Sequence, residues 1–133
     1  MIGNNDVVYH DQAPLASFAE EYYTTLWEMM FEDIPANAAI ATNDTIYETW
    51  MQGGYYVYEI GDDIMVLCIN GMYPFYENWA EQYIADEMID WIEATLEANP
   101  DKYFITQTHV FFGNNWYEGL EVLWNSTYTN RLM

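Results

Sequence analysis

The chain has 133 residues and a mass of 15.7 kDa, enough for one domain and no more. Hydrophobic residues make up 52% of it, including 13 Tyr, 6 Trp and 6 Phe, which excludes wholesale disorder because there is ample material for a packed core. Two basic residues, Lys102 and Arg131, stand against 22 acidic ones for a formal net charge of −20, which excludes nucleic acid and anionic lipid as partners: no basic patch exists to displace counterions from phosphates.

Along the chain, Met1 to Pro14 reads as a loop, with Gly3, Asn4, Asn5 and Asp6 forming a tight turn and His10, six residues after Asn4 and next to Asp11, reading as a loop-surface histidine in preference to a metal or phosphate ligand. From Leu15 the apolar residues Phe18, Tyr22, Leu26 and Met30 recur three and four apart, predicting a helix to about Phe31. Asp33 to Gly54 is looser, broken by Pro35 and the Gly53-Gly54 pair. Tyr55 to Ile60 reads as a strand, Gly61-Asp62-Asp63 as a turn, and Ile64 to Asn70 as a second, doubly covered strand pairing with the first as a hairpin. Cys68 sits within that second strand and reads as a buried thiol rather than a nucleophile, and as the single cysteine it cannot form an internal disulfide.

Gly71 to Tyr76 is an aromatic loop. Tyr73, Phe75, Tyr76 and Trp79 supply either satellite core or the lining of a lipid or sugar pocket, as do Trp116, Tyr117 and Trp124 further on. Asn78 with Glu81 resembles a capping box for a helix running to Ala98, where Asn99-Pro100 stops it. Tyr103 to Thr108 is a third strand, read as central in its sheet, with His109 at its carboxyl end, where ligands of α/β sheets commonly bind. A loop from Val110 to Gly119 leads to a last helix. Helix, hairpin, helix, strand is an α/β pattern. No stretch approaches the ~20 apolar residues of a membrane span. No segment matches a calcium-binding EF-hand loop. Two sequons, Asn43-Asp44-Thr45 and Asn125-Ser126-Thr127, fit a glycoprotein of the secretory pathway.

Four segments, in order, resemble the calcineurin-like metallophosphoesterases, in particular their acid-sphingomyelinase-like and endopolyphosphatase-like branches. Ile2-Gly3-Asn4-Asn5-Asp6 is similar to the family's Gly-Asn-His-Asp/Glu motif in its Gly-Asn-Asn-Asp form. Gly53-Gly54-Tyr55-Tyr56 followed by Ile64 to Asn70 resembles its aromatic hairpin, and Asp90 to Leu96 one of its helices. Tyr103 to Val110 resembles the strand that ends in a metal-ligating histidine.

The resemblance implies a four-layer αββα sandwich with two divalent ions of zinc, iron or manganese type. It implies hydrolysis of a phosphodiester or phosphoanhydride, in a sphingomyelin-like lipid, a nucleotide or polyphosphate, by a secreted, lysosomal or otherwise lumenal hydrolase. Asn4 and His109 match ligands of the same metal. Asn5 stands where most members have a catalytic histidine; its amide cannot be a general acid near neutral pH but can donate a hydrogen bond to a phosphoryl oxygen. Phe111-Phe112-Gly113 replaces the family's Pro-Pro-Gly, and Thr108 a glycine.

The family's Asp-x-His, Gly-Asp and Gly-His-x-His motifs do not occur in the chain. Residues 1–133 therefore read as a single partial domain, inactive alone and needing the missing parts of its own domain. The alternative is a non-catalytic acidic binding or structural module derived from the same fold, taking up calcium or a cationic partner. The scarcity of basic residues has no account in either reading beyond salt adaptation.

Overall fold

The computed structural model describes residues 2–115, 119 and 121–132. Helix α1 (Ala16–Trp27) runs directly into a π-helical turn, Glu28–Glu32, so the single predicted helix to Phe31 is one continuous element with a change of pitch. The looser stretch after it holds a helix that spacing did not reveal. After a 3₁₀ turn (Pro35–Asn37) and the short α2 (Ala38–Ala41) comes α3 (Asp44–Gly53). Its ends carry strong local signals. The Asn43 side chain accepts a hydrogen bond from the Ile46 amide at 3.1 Å, Asp44 occupies the first turn where the helix dipole favours an anion, and Gly54 closes the helix at φ 71°. Asn43-Asp44-Thr45 is thus a helix start as well as a sequon, exposed at the surface.

Strand β1 (Tyr56–Ile60) pairs antiparallel with β2 (Ile64–Cys68), as the hairpin reading requires. Helix α4 (Tyr83–Ala98) then crosses to β3 (Tyr103–Gln107), which lies parallel to β2. The sheet order is β1-β2-β3, so the strand ending before His109 is an edge among the described residues, not the central strand expected. Two further strands of two residues each, β4 (Asn114–Asn115) and β5 (Glu121–Val122), form a ribbon where a plain loop was expected, and α5 (Ser126–Leu132) ends the described chain. The molecule is α/β. None of its helices is long and apolar enough to cross a membrane, among the described residues.

The two faces of the sheet bury different cores, because side chains alternate along each strand. On one face Leu67, Val57 and Phe104 pack with Met88, Ile89 and Ile92 of α4. On the other, Tyr56, Val66 and Cys68 pack against Trp27, Phe31 and Trp50 from the helices before the hairpin. Phe31 meets Trp50 edge to face at a centroid distance of 5.2 Å, and the Trp50 indole donates to the Tyr23 carbonyl at 2.9 Å, so a large aromatic is buried with its polar atom satisfied. Cys68 is buried, as expected, and burial raises its thiol pKa. The expected capping box does not form. Asn78 is instead fully enclosed, accepting from Ala13 N and donating to the Tyr73 and Ala80 carbonyls, while Glu81 accepts from Ala16 N. Asn78 thereby ties the aromatic loop to the segment before α1, and Glu81 holds the first residue of α1.

Candidate functional site

The loop from Gly3 to Asp11 folds back on itself. Asp6 N donates to Gly3 O at 3.1 Å and Gly3 N to Asp6 Oδ2 at 2.8 Å, closing the tight turn. Asp11 takes a left-handed conformation, φ 63°, which Asp tolerates better than most residues. That turn returns its carboxylate to Asn4, whose Nδ2 donates to Asp11 Oδ1 at 2.9 Å and lies 3.2 Å from His10 Nε2. The His10 ring is itself held by Asp11, with Nδ1 to Oδ2 at 2.5 Å.

His109 reaches the same point from the far end of the sequence. Its segment is fixed by the Val110 carbonyl, which accepts from Thr108 Oγ1 at 2.9 Å and from the Trp124 indole at 2.8 Å. Thr108 therefore has a structural use. Gly71 lies against this segment so tightly that a Cβ would stand 2.1 Å from the Val110 oxygen. The outcome is that His109 Nε2 and Asn4 Oδ1 lie 3.0 Å apart across 105 positions of sequence. Asn5 is exposed beside them, its Nδ2 donating to Asn4 Oδ1 at 3.3 Å. The three residues singled out from the sequence thus come together.

Asn4 and His109, but not Asn5, line a cleft of about 920 Å³, with His10, Asp11 and Glu77 as further polar lining and Phe75, Tyr76 and Phe111 as aromatic wall. His10 is exposed, as a loop-surface histidine should be, yet it belongs to this cluster through Asp11. Asp11 gave no signal in the sequence, since its role depends on the backbone reversal at its own position. Of the aromatic loop, Tyr73 and Phe75 are buried core and Tyr76 and Trp79 are exposed; Trp124 is buried, while Trp116 and Tyr117 lie outside the described residues. No Lys or Arg lines the cleft among the described residues, and its carboxylates are those of Asp11 and Glu77.

The donor atoms suit one edge of a metal's coordination shell. Ligand–metal bonds of about 2.0–2.2 Å at roughly 90–110° put two donors about 2.8–3.6 Å apart, a range that includes the observed separation. Both donors are neutral, and no group of three or more His, Cys, Asp or Glu converges on a metal position among the described residues. Among the described residues Asn4 and His109 could offer two ligands, fewer than the three of a catalytic zinc site. No family model matches the chain, and no curated protein is significantly similar to it.

Proposed function

We propose that this chain is an internal piece of a two-metal phosphoesterase with the four-layer calcineurin-like sandwich, hydrolysing a phosphodiester or phosphoanhydride in a secreted or lumenal parent, and inactive alone. The observation that carries the proposal is the 3.0 Å approach of Asn4 Oδ1 to His109 Nε2. Those residues match two ligands of one metal in that family. A cation there also answers the electrostatics, because a phosphoester approaching carboxylates with no Lys or Arg nearby is repelled unless positive charge is supplied. Asn4 and His109 would hold the cation, which when bound supplies Lewis acidity and an activated water. Asn5 hydrogen-bonds a phosphoryl oxygen, and the aromatic wall takes the organic part of the ester.

The edge of the sheet at β3, unpaired among the described residues, supports the partial-domain reading. Parallel strands are ordinarily covered on both faces. On β3, however, Tyr103 is 75% and Ile105 49% exposed. By the parallel register, the backbone groups of Phe104 and Thr106 face away from β2. A neighbouring strand from the rest of the domain would cover them.

A second reading, a non-catalytic acidic module, is favoured by the two-ligand donor set and by the amide at Asn5. Metal analysis with a generic phosphodiester assay distinguishes the readings. We expect no turnover from the isolated chain and transition-metal uptake lost on Asn4→Ala or His109→Ala. Uptake of calcium alone, indifferent to both substitutions, overturns the enzyme reading.

A further inference from the structure

We infer that Asp11 is a positioning residue that sets which end of the Asn4 amide faces His109. The inference rests on the metal-site reading above for its consequence, but its geometry stands independently. A side-chain amide presents either its oxygen or its NH₂ group to a given neighbour, and the two ends are nearly the same shape. The neighbours' chemistry decides between them. The Asp11 carboxylate is an acceptor only, so the group 2.9 Å from its Oδ1 has to be the Asn4 Nδ2 donor. His10, whose Nδ1 side is occupied by Asp11 Oδ2, brings Nε2 within 3.2 Å of the same Nδ2, where it is a second acceptor in the tautomer that carries its proton on Nδ1. With both amide hydrogens directed at these acceptors, Asn4 Oδ1 is left facing His109 and the cleft. A flipped amide would set Asn4 Oδ1 against the carboxylate and turn an NH₂ group, which ligates nothing, toward the cation position.

The same geometry explains an amide rather than a carboxylate at position 4. Asp would be the stronger cation ligand, but its second oxygen would lie within hydrogen-bond distance of the Asp11 carboxylate with no proton between them. Orientation by an outer partner is worth roughly ten- to a hundredfold in metal affinity at sites of this kind.

Two substitutions of the full chain separate position from charge. Asp11→Gly removes the carboxylate while suiting the left-handed backbone at that residue. Asp11→Asn removes the same charge but keeps an oxygen that can accept from Asn4. We expect Mn²⁺ affinity, followed by calorimetry, to fall about tenfold in Asp11→Gly and to stay near the wild-type value in Asp11→Asn. Equal loss in both variants means that Asp11 acts only as a charge, and no loss in either means that it does not orient Asn4; both results overturn the inference. A metal-free readout keeps the question open to test if the wild-type chain takes up no Mn²⁺, a result that would count against the metal-site reading alone. In that readout the Asn4 side-chain NH₂ resonances should move toward solvent-exposed values in Asp11→Gly and hold in Asp11→Asn. Unmoved resonances in Asp11→Gly overturn the inference directly.

Discussion

The imidazole of His109 lies over the Cα of Gly3, so close that a Cβ built on Gly3 would stand 3.0 Å from both Cγ and Cδ2 of the ring and 3.2 Å from Cε1. Gly3 is therefore in the tight turn for a steric reason. Its neighbour Asn4 turns its Oδ1, an acceptor, to the ring nitrogen Nε2 while Gly3 gives the ring face room. Gly3→Ala should displace the ring by a few tenths of an ångström. The expected outcome is roughly tenfold weaker binding of a divalent ion through His109, with thermal unfolding little changed. A titration of the His109 ring resonances with Mn²⁺ checks it.

A buried hydroxyl pair locks α1 to the aromatic loop. Tyr23 and Tyr73 meet oxygen to oxygen at 2.7 Å, and Asn70 Nδ2 donates both to Tyr23 Oη and to the Gly53 carbonyl. Tyr73→Phe leaves the Tyr23 hydroxyl without that partner inside the core, and Tyr23→Phe does the same to Tyr73. Each should cost about 1–3 kcal/mol in urea unfolding, and the double substitution less than the sum of the two.

The same burial gives the fold an alkaline limit. Tyr23 and Tyr73 are held neutral far above the usual tyrosine range, by burial first and by each other second for Tyr23. Burial also raises Tyr56, and pushes Tyr55 up to about 12. A tyrosine with a raised pKa in the fold keeps its proton where the unfolded chain has lost it. Its contribution is therefore complete below about pH 10 and falls as pH rises beyond that value. The urea midpoint should decline steadily above pH 10 and be flat for these groups between pH 6 and 9.

Arg131 joins α5 to α4 with a forked grip: Nε donates to Glu93 Oε1 at 3.0 Å, and one terminal nitrogen donates to Glu93 Oε2 at 2.8 Å and Asp90 Oδ1 at 2.6 Å. The hydrogen bond from Arg131 holds the Glu93 carboxyl below its ordinary pKa. Stability from this pair is present above the carboxylate range and is lost as pH falls through the lowered value. Arg131→Met should speed amide exchange in α5 selectively, and added salt should narrow the difference from wild type, because the site is exposed and screened.

Much of this was legible in the residues. The hairpin followed from a branched and aromatic run, a Gly-Asp-Asp turn and an apolar run; α4 followed from its stripe and its Asn-Pro stop. Helix α3 was missed because its buried residues, Ile46, Trp50 and Gly53, are few and its start resembles a glycosylation triplet. Asn78 and Glu81 had the spacing of a cap, but tertiary partners at Ala13 and Ala16 took their side chains. At the site, Asn4 and His109 were read from motifs, while Asp11 depends on a backbone reversal that no spacing encodes. The edge position of β3 was hidden because a strand's neighbours are a property of topology, not of its own composition.

Whether Asn4 and His109 share one cation can be read directly from the side-chain amide and imidazole resonances of the labelled chain as Mn²⁺ is added. Paramagnetic broadening should reach the Asn4 NH₂ group and the His109 ring together, at the lowest ion concentrations, and vanish from Asn4 in His109→Ala. Broadening that begins at the acidic surface and leaves these two side chains sharp would contradict the account.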